Sequence, residues 1–115
     1  MIGSQDVAAG EKVAKKCKAC HTFDEGGKNK AGPPLWNIVN RPVAAVEDFK
    51  YSQAMKDYAD GGTAWTYAEL DAFLAAPKKH VPKTKMAFSG LRKDADRAAM
   101  LAYLRSLSSD PAPLP

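Results

Sequence analysis

Apolar residues in this chain recur at helical spacing in short stretches and nowhere alternate at strand spacing. Val7, Gly10, Val13 and Ala14 share one face of a segment that Asp6 is placed to cap and that extends to about Cys17. Small residues on that face would let a second helix cross closely. Ser52 reads as the cap of a short helix through Tyr58, stopped by Gly61-Gly62. Thr66-Tyr67-Ala68-Glu69 is a capping box, and the helix it opens carries Leu70, Phe73 and Leu74 and stops before Pro77. Asp94 begins the most regular pattern, through about Leu107, with Ala98, Leu101, Ala102, Tyr103 and Leu104 as its apolar face.

Between these elements lie long polar segments. Thr22 to Pro34 reads as loop, and Leu35 to Val39 as one irregular turn closed by Arg41-Pro42. Lys78 to Gly90, constrained by Pro77 and Pro82, reads as an extended loop carrying Met86. The tail from Asp110 is rich in proline and reads as extended or frayed. The fold class is all-α with long loops, and such loops need a surface to pack on.

At 115 residues with 45% hydrophobic content, the chain makes one domain with enough apolar material for a core. The expected division is a lead over 1–5, a domain over 6–108 and a Pro-rich tail over 109–115. Basic residues outnumber acidic ones, 17 to 13, for a net charge of +4. That excess is too small for a nucleic-acid binder, and no basic stripe interleaves with aromatics. Its distribution is uneven. Lys78, Lys79, Lys83, Lys85, Arg92 and Lys93 follow one another with no acid between them, whereas acids dominate from Val43 to Asp71. Such asymmetry suits a protein that orients itself as it meets a partner, although a plain solvated face has the same look. No apolar run is long enough to span a membrane, and Met1-Ile2-Gly3-Ser4 lacks the regions of a signal peptide.

Both cysteines fall in Cys17-Lys18-Ala19-Cys20-His21. Two thiols at this spacing can add across the two vinyl groups of a haem, with the adjacent histidine reaching the iron. A thioredoxin-like dithiol would belong beside a βαβ pattern, which is missing. A zinc site needs four ligands, and Cys17, Cys20, His21 and distant His80 make an awkward set because Cys20 and His21 are neighbours. Haem attachment is the better reading. In bacteria it takes place outside the cytoplasm, so the chain is read as a mature or trimmed form acting in the periplasm, with a leader or membrane tether in the full-length protein. His21 then needs an acceptor for its second ring nitrogen, and a carbonyl of Gly32-Pro33-Pro34 is the candidate.

The sixth iron position decides between electron carrier and reactive haem. Met86, His80, Met55, Met100 and a lysine are the candidates. Met100 and Met55 lie in helices, where packing accounts for them. Met86 lies in the proline-constrained loop, and a thioether there would raise the potential relative to a second histidine. Met86 is favoured, with His80 the rival.

The chain resembles the class I c-type cytochromes, in particular bacterial relatives of mitochondrial cytochrome c, over about Val7 to Leu107. The residues that carry the likeness are Gly10-Glu11-Lys12, Cys17 to His21, Gly32-Pro33-Pro34-Leu35, Arg41, Phe49-Lys50-Tyr51-Ser52, Trp65, Pro77-Lys78-Lys79, Pro82 to Phe88, and Ala102-Tyr103-Leu104. The resemblance implies the small cytochrome c fold: N- and C-terminal helices crossing at Gly10 and the Leu101–Leu104 face, with short middle helices and long loops around one covalent haem c. It implies thioethers at Cys17 and Cys20, axial ligands His21 and Met86, and a Pro33 carbonyl bonded to His21. It implies Arg41, Tyr51 and Trp65 at one haem propionate and Thr84 near the other. Four residues depart from the family pattern. Ala14 and Phe73 replace a usual aromatic and a frequent tyrosine, Met55 a frequent asparagine, and Lys83 a common glycine.

By the same resemblance the expected function is non-enzymatic one-electron transport by a monomer. Lys16, Lys18, Lys30, Lys78, Lys79, Lys83 and Lys85 would steer the exposed haem edge to acidic partners. Those partners would be a quinol–cytochrome c oxidoreductase and a haem–copper oxidase, or a photosynthetic reaction centre or denitrifying reductase. The alternatives are a haem ligand sensor or peroxidase-like protein with a labile sixth ligand, and the haem domain of a larger anchored redox protein.

Overall fold

The computed structural model describes residues 7–60, 62–84, 86 and 88–114; Asp6, Gly61 and Lys85 lie outside the described residues. The helices are α1 (Val7–Ala14), α2 (Gln53–Ala59), α3 (Tyr67–Ala75), α4 (Pro77–His80) and α5 (Asp94–Ser106), with a 3-10 turn over Lys15–Cys17. Among the described residues the only bridge pairing is the isolated contact Pro42↔Ala64. The fold is all-α, as the spacing predicts.

The caps act where the sequence places them. Ser52 Oγ accepts from the Met55 amide at 3.1 Å and Thr66 Oγ1 from the Glu69 amide at 3.2 Å, each satisfying an orphan donor of a helix start. One segment differs from expectation. The start of the expected Lys78–Gly90 loop is helical, since Pro77 at the first helical position presets the backbone angle and lacks only an amide that would go unused there.

α5 packs on α1 and on α3. Gly10 is buried at the α1 crossing, and a Cβ there would collide with the Ala99 carbonyl and the Tyr103 Cβ. The buried face of α5 is Ala99, Met100, Leu101, Ala102 and Leu104, so Ala99 and Met100 take the place expected of Ala98. Helices on two sides widen the buried stripe beyond a single face. Met100 is only 1% exposed, a burial worth about 1.5–3 kcal/mol. Ala14, fully buried, leaves the aromatic contact of this region to Phe23 and Tyr103, whose centroids lie 5.6 Å apart. Arg97 fastens α5 to α3 through Asp71 at 2.8 Å and to the Leu91 carbonyl at 2.9 Å.

The tail is extended, but it is not frayed. The Ala112 carbonyl accepts from Arg105 Nε at 2.8 Å and from the Tyr67 hydroxyl at 3.1 Å. Pro111 and Pro113 on either side hold that carbonyl in an extended segment. Just before it, the Asn37 amide donates to the Leu107 carbonyl at 2.6 Å, and Ser108 Oγ donates to Asn37 Oδ1 at 3.0 Å. The chain just after α5 is therefore stitched to the loop that leads into Arg41.

Candidate haem-attachment site

The two thiols sit on a tight turn that continues the first helix. The amides of Cys20 and His21 both donate to the Cys17 carbonyl, at 3.1 and 3.0 Å. Cys17 is half-buried and Cys20 exposed, and neither is in a disulfide. Burial, and then the neighbouring Cys20, push the Cys17 thiol up, with Lys16 pulling the other way. Lys30 Nζ donates to the Lys18 carbonyl at 3.0 Å and ties the Lys30 loop to the turn.

His21 is fixed from two directions. Its Nδ1 lies 2.8 Å from the Pro33 carbonyl, which can only accept, so Nδ1 carries the proton. Gly32 lies against the imidazole, where a Cβ would collide with Cε1, Nδ1 and Nε2. The Gly32 amide donates to the Cys20 carbonyl at 2.7 Å, which joins this loop to the turn. Burial lowers the imidazole's affinity for a proton, the Pro33 bond opposes this, and Arg41 reinforces it. The ring is therefore neutral near pH 7, which is the form that binds a metal.

Arg41 is half-buried and donates to the carbonyls of Pro34 at 3.0 Å and Trp36 at 3.4 Å. Burial lowers its pKa, with Tyr51 opposing. Among the described residues it has no carboxylate partner, so a cation has been taken from water for carbonyls alone. The backbone sets Arg41 beside Trp65: the Trp65 amide donates to the Arg41 carbonyl at 2.9 Å, and the Asn40 amide to the Trp65 carbonyl at 2.7 Å. Tyr51 stands nearby with its hydroxyl accepting from the Val46 amide at 3.1 Å. Of the residues that the resemblance places at one propionate, Arg41 is thus paired with Trp65 through the backbone and lies within electrostatic reach of Tyr51.

Met86 is half-buried and packs on the core cluster. Thr84, itself buried, accepts from the Met86 amide at 3.3 Å. Lys83, where the resemblance leads one to expect a glycine, sits in the left-handed region at φ 66°, which glycine adopts without strain. The structure also places the named rivals for the sixth position, and Met55 packs partly buried on the core just as Met86 does. Met100 is in the core and Met55 packs from α2. His80 Nε2 is 3.0 Å from the Tyr58 hydroxyl and 3.1 Å from Glu69 Oε2.

Lys16, Lys18, Lys30, Lys78, Lys79 and Lys83 are exposed. Lys78 and Lys79 border a cavity of about 360 Å³ with Ala76, Phe88 and Ser89. Two features of the structure are not marked as functional in the sequence. One is Gly32 as a steric seat for the imidazole, signalled only by a glycine before two prolines. The other is the meeting of Tyr58, Glu69 and His80, which no spacing in the sequence foretells because it joins three helices.

Paired free thiols, a neutral imidazole oriented through Nδ1 and an unpaired half-buried cation fit one group together. Thioether carbons, an iron and a propionate would satisfy them in turn. These features define a c-type haem protein. A family model described as cytochrome c matches residues 7–108. The chain is 45% identical over 109 residues to a cytochrome c2 of Afifella marina, covering 95% of this chain and 88% of that one. It is 45% identical over 116 residues to a cytochrome c homolog of Bradyrhizobium diazoefficiens, and there it spans only 61% of the relative's length. Among solved structures, cytochrome cH from Methylobacterium extorquens superposes with a TM-score of 0.78 at 39% identity, covering 88% of this chain and 98% of that one. The chain belongs to the cytochrome c family, and its cofactor is a covalently attached haem c.

Proposed function

We propose that this protein is a one-electron carrier whose haem is attached at Cys17 and Cys20 and ligated by His21 and Met86. The observation that carries the reading is the 2.8 Å contact between His21 Nδ1 and the Pro33 carbonyl, which leaves Nε2 as the metal-binding nitrogen. When bound, the haem supplies reversible exchange of one electron at iron. The chain's own residues do the rest. Pro33 and Gly32 hold the imidazole in one orientation, so little need move when charge changes. Thr84 restrains the backbone at Met86. Arg41, Tyr51 and Trp65 would offer a half-buried cation and polar groups to one propionate, and Thr84 would serve the other. A soft thioether opposite an imidazole favours the reduced state.

The lysines would steer this face to acidic redox proteins through a small, salt-sensitive contact. A quinol–cytochrome c oxidoreductase and a haem–copper oxidase, or a photosynthetic reaction centre or denitrifying reductase, are the partners proposed. The location is periplasmic, where such haems are attached. The second reading, a sensor or peroxidase-like haem with a labile sixth ligand, draws support from the strained Lys83 beside the ligand loop. One experiment separates them: visible spectra of the oxidised and reduced holoprotein, with carbon monoxide added to the reduced form. A His/Met spectrum indifferent to the gas is expected. A ready shift would overturn the carrier reading in favour of the sensor.

A further inference from the structure

Three polar atoms from three helices converge away from the thiols. The Tyr58 hydroxyl of α2 lies 3.0 Å from Nε2 of His80 on α4, and that nitrogen lies 3.1 Å from Glu69 Oε2 on α3. The Tyr58 ring, in turn, rests on Trp65 with centroids 5.5 Å apart, and Trp65 rests on Phe73 at 5.1 Å. Trp65 is 7% exposed and paired through its backbone with Arg41, whereas Tyr58 and His80 reach the surface. An aromatic path therefore leads outward from the buried indole to a phenol that has a proton acceptor at hydrogen-bond distance.

We propose that Tyr58 is a second redox site of this protein, a proton-coupled hole trap that draws oxidising equivalents away from Trp65 and out of the haem crevice. The proposal rests on the reading that Trp65 lines that crevice. The oxidant is a strong one-electron oxidant X that strikes the crevice. X takes one electron from the indole, and the indole takes one from the phenol. The phenolic O–H bond breaks and its proton moves to His80 Nε2, which is free to accept it in the tautomer that carries the imidazole proton on Nδ1. The balance is Tyr58–OH + His80 + X → Tyr58–O• + His80–H⁺ + X⁻. Glu69 then faces the imidazolium as a carboxylate and stabilises it.

The surroundings favour this coupled route. A phenol is hard to oxidise while it keeps its proton, and burial together with the Glu69 carboxylate raises the Tyr58 pKa, so the proton stays on until the electron leaves. Glu69 faces the same hydroxyl and can stand in for His80 as acceptor, so both must be changed to remove the proton's destination. The packing of His80 edge-on to the Tyr58 ring, at 5.4 Å, keeps donor and acceptor in register.

The test uses ferric holoprotein and tris(bipyridine)ruthenium(III), generated by a light flash with persulfate as quencher. Samples are frozen within milliseconds and read by electron paramagnetic resonance, with ring-deuterated tyrosine to identify a tyrosyl signal. The expected result is a tyrosyl radical that is mostly lost in Tyr58→Phe, a change that removes one oxygen from the side chain. The double variant Glu69→Gln with His80→Gln should keep Tyr58 and lower the radical yield about tenfold. An undiminished tyrosyl signal in Tyr58→Phe, or an unchanged yield in the double variant, would overturn the proposal. Visible spectra of the same samples report the iron ligands separately, so a failure of the His/Met reading is distinguishable from a failure of this one.

Discussion

Gly32 is the seat of the His21 imidazole: the space a Cβ would need at residue 32 is already filled by three atoms of the ring. Gly32→Ala must therefore displace the imidazole or the loop and break the 2.8 Å contact with Pro33. The expected cost is about 1–3 kcal/mol, the range for overpacking. It should appear as a lower thermal midpoint and as shifted His21 ring resonances in the paramagnetic spectrum. Gly26→Ala is the control, since Gly26 has positive φ but open space around it. It should cost stability and leave the His21 resonances in place. If Gly32→Ala also left them in place, the seat would have no role in orienting the ligand.

Arg41 yields a prediction in which geometry and charge separate. Its planar fork spans two carbonyls, those of Pro34 and Trp36. Lysine keeps the charge but cannot reproduce the fork, so Arg41→Lys should lose about 1–3 kcal/mol in urea unfolding while holding the potential nearly constant. Arg41→Met removes the cation as well. A nearby positive charge disfavours the more positive ferric state, so its removal should lower the potential. Equal potentials in Arg41→Lys and Arg41→Met would show that the guanidinium acts on the loop alone.

Lys83 carries backbone strain at φ 66°. Lys83→Gly relieves it, and a non-glycine residue in the left-handed region costs roughly 1–2 kcal/mol. Part of that gain returns as entropy of the unfolded chain. The expected outcome is a ligand loop that resists displacement: added imidazole should bind the ferric protein several-fold more weakly. Lys83→Ala removes the same charge and keeps the strain, so it should not share the effect. Equal imidazole affinity in wild type and Lys83→Gly would sever the link between this angle and the sixth ligand.

How far the sequence could be read depended on the range of the interactions. Thr66 and Ser52 were legible as caps because a cap is settled within three residues. Gly10 was legible as a crossing point because smallness on a helix face has one common use. Cys17 to His21 was legible because its chemistry is contained in five consecutive residues. The helical turn at Pro77 was hidden because a single turn shows no periodicity. Ala99 was hidden because two neighbours, and not one, decide which positions of α5 are buried. Tyr58, Glu69 and His80 come together only through the packing of α2, α3 and α4, and nothing local marks them. The Lys83 strain was half legible: the sequence showed a departure from a common glycine, and only the backbone angle gave its physical meaning.

The tail reads from the sequence as extended or frayed, and the contacts of its extended course give a direct test. Removing residues 110–115 leaves Arg105 Nε and the Tyr67 hydroxyl without the Ala112 carbonyl. Tyr67 is buried, so the loss of its partner exposes or strands a polar group. The truncated holoprotein should be less stable by about 1–3 kcal/mol. Tyr67→Phe in the full chain removes one of the two bonds and should recover part of that loss when combined with the truncation, as a non-additive pair. A truncation with an unchanged unfolding midpoint would mean the tail contributes nothing to the domain.

Lys78 and Lys79 allow the proposed docking face to be tested apart from the general charge of the molecule. Both are exposed, on one short helix, and border the same cavity beside Phe88. Lys12 is also exposed, but it lies on α1. Exposed charges act over roughly the screening length of the solution, about 10 Å at 0.1 M salt and about 3 Å at 1 M. If the cavity rim is where an acidic partner lands, Lys79→Gln should slow the second-order oxidation by such a partner several-fold at low salt. The difference from wild type should vanish as salt rises. Lys12→Gln carries the same change in net charge and should have a smaller effect at every salt concentration. Equal slowing by both substitutions would mean that only net charge matters, and a rate flat with ionic strength in the wild type would remove electrostatic steering altogether.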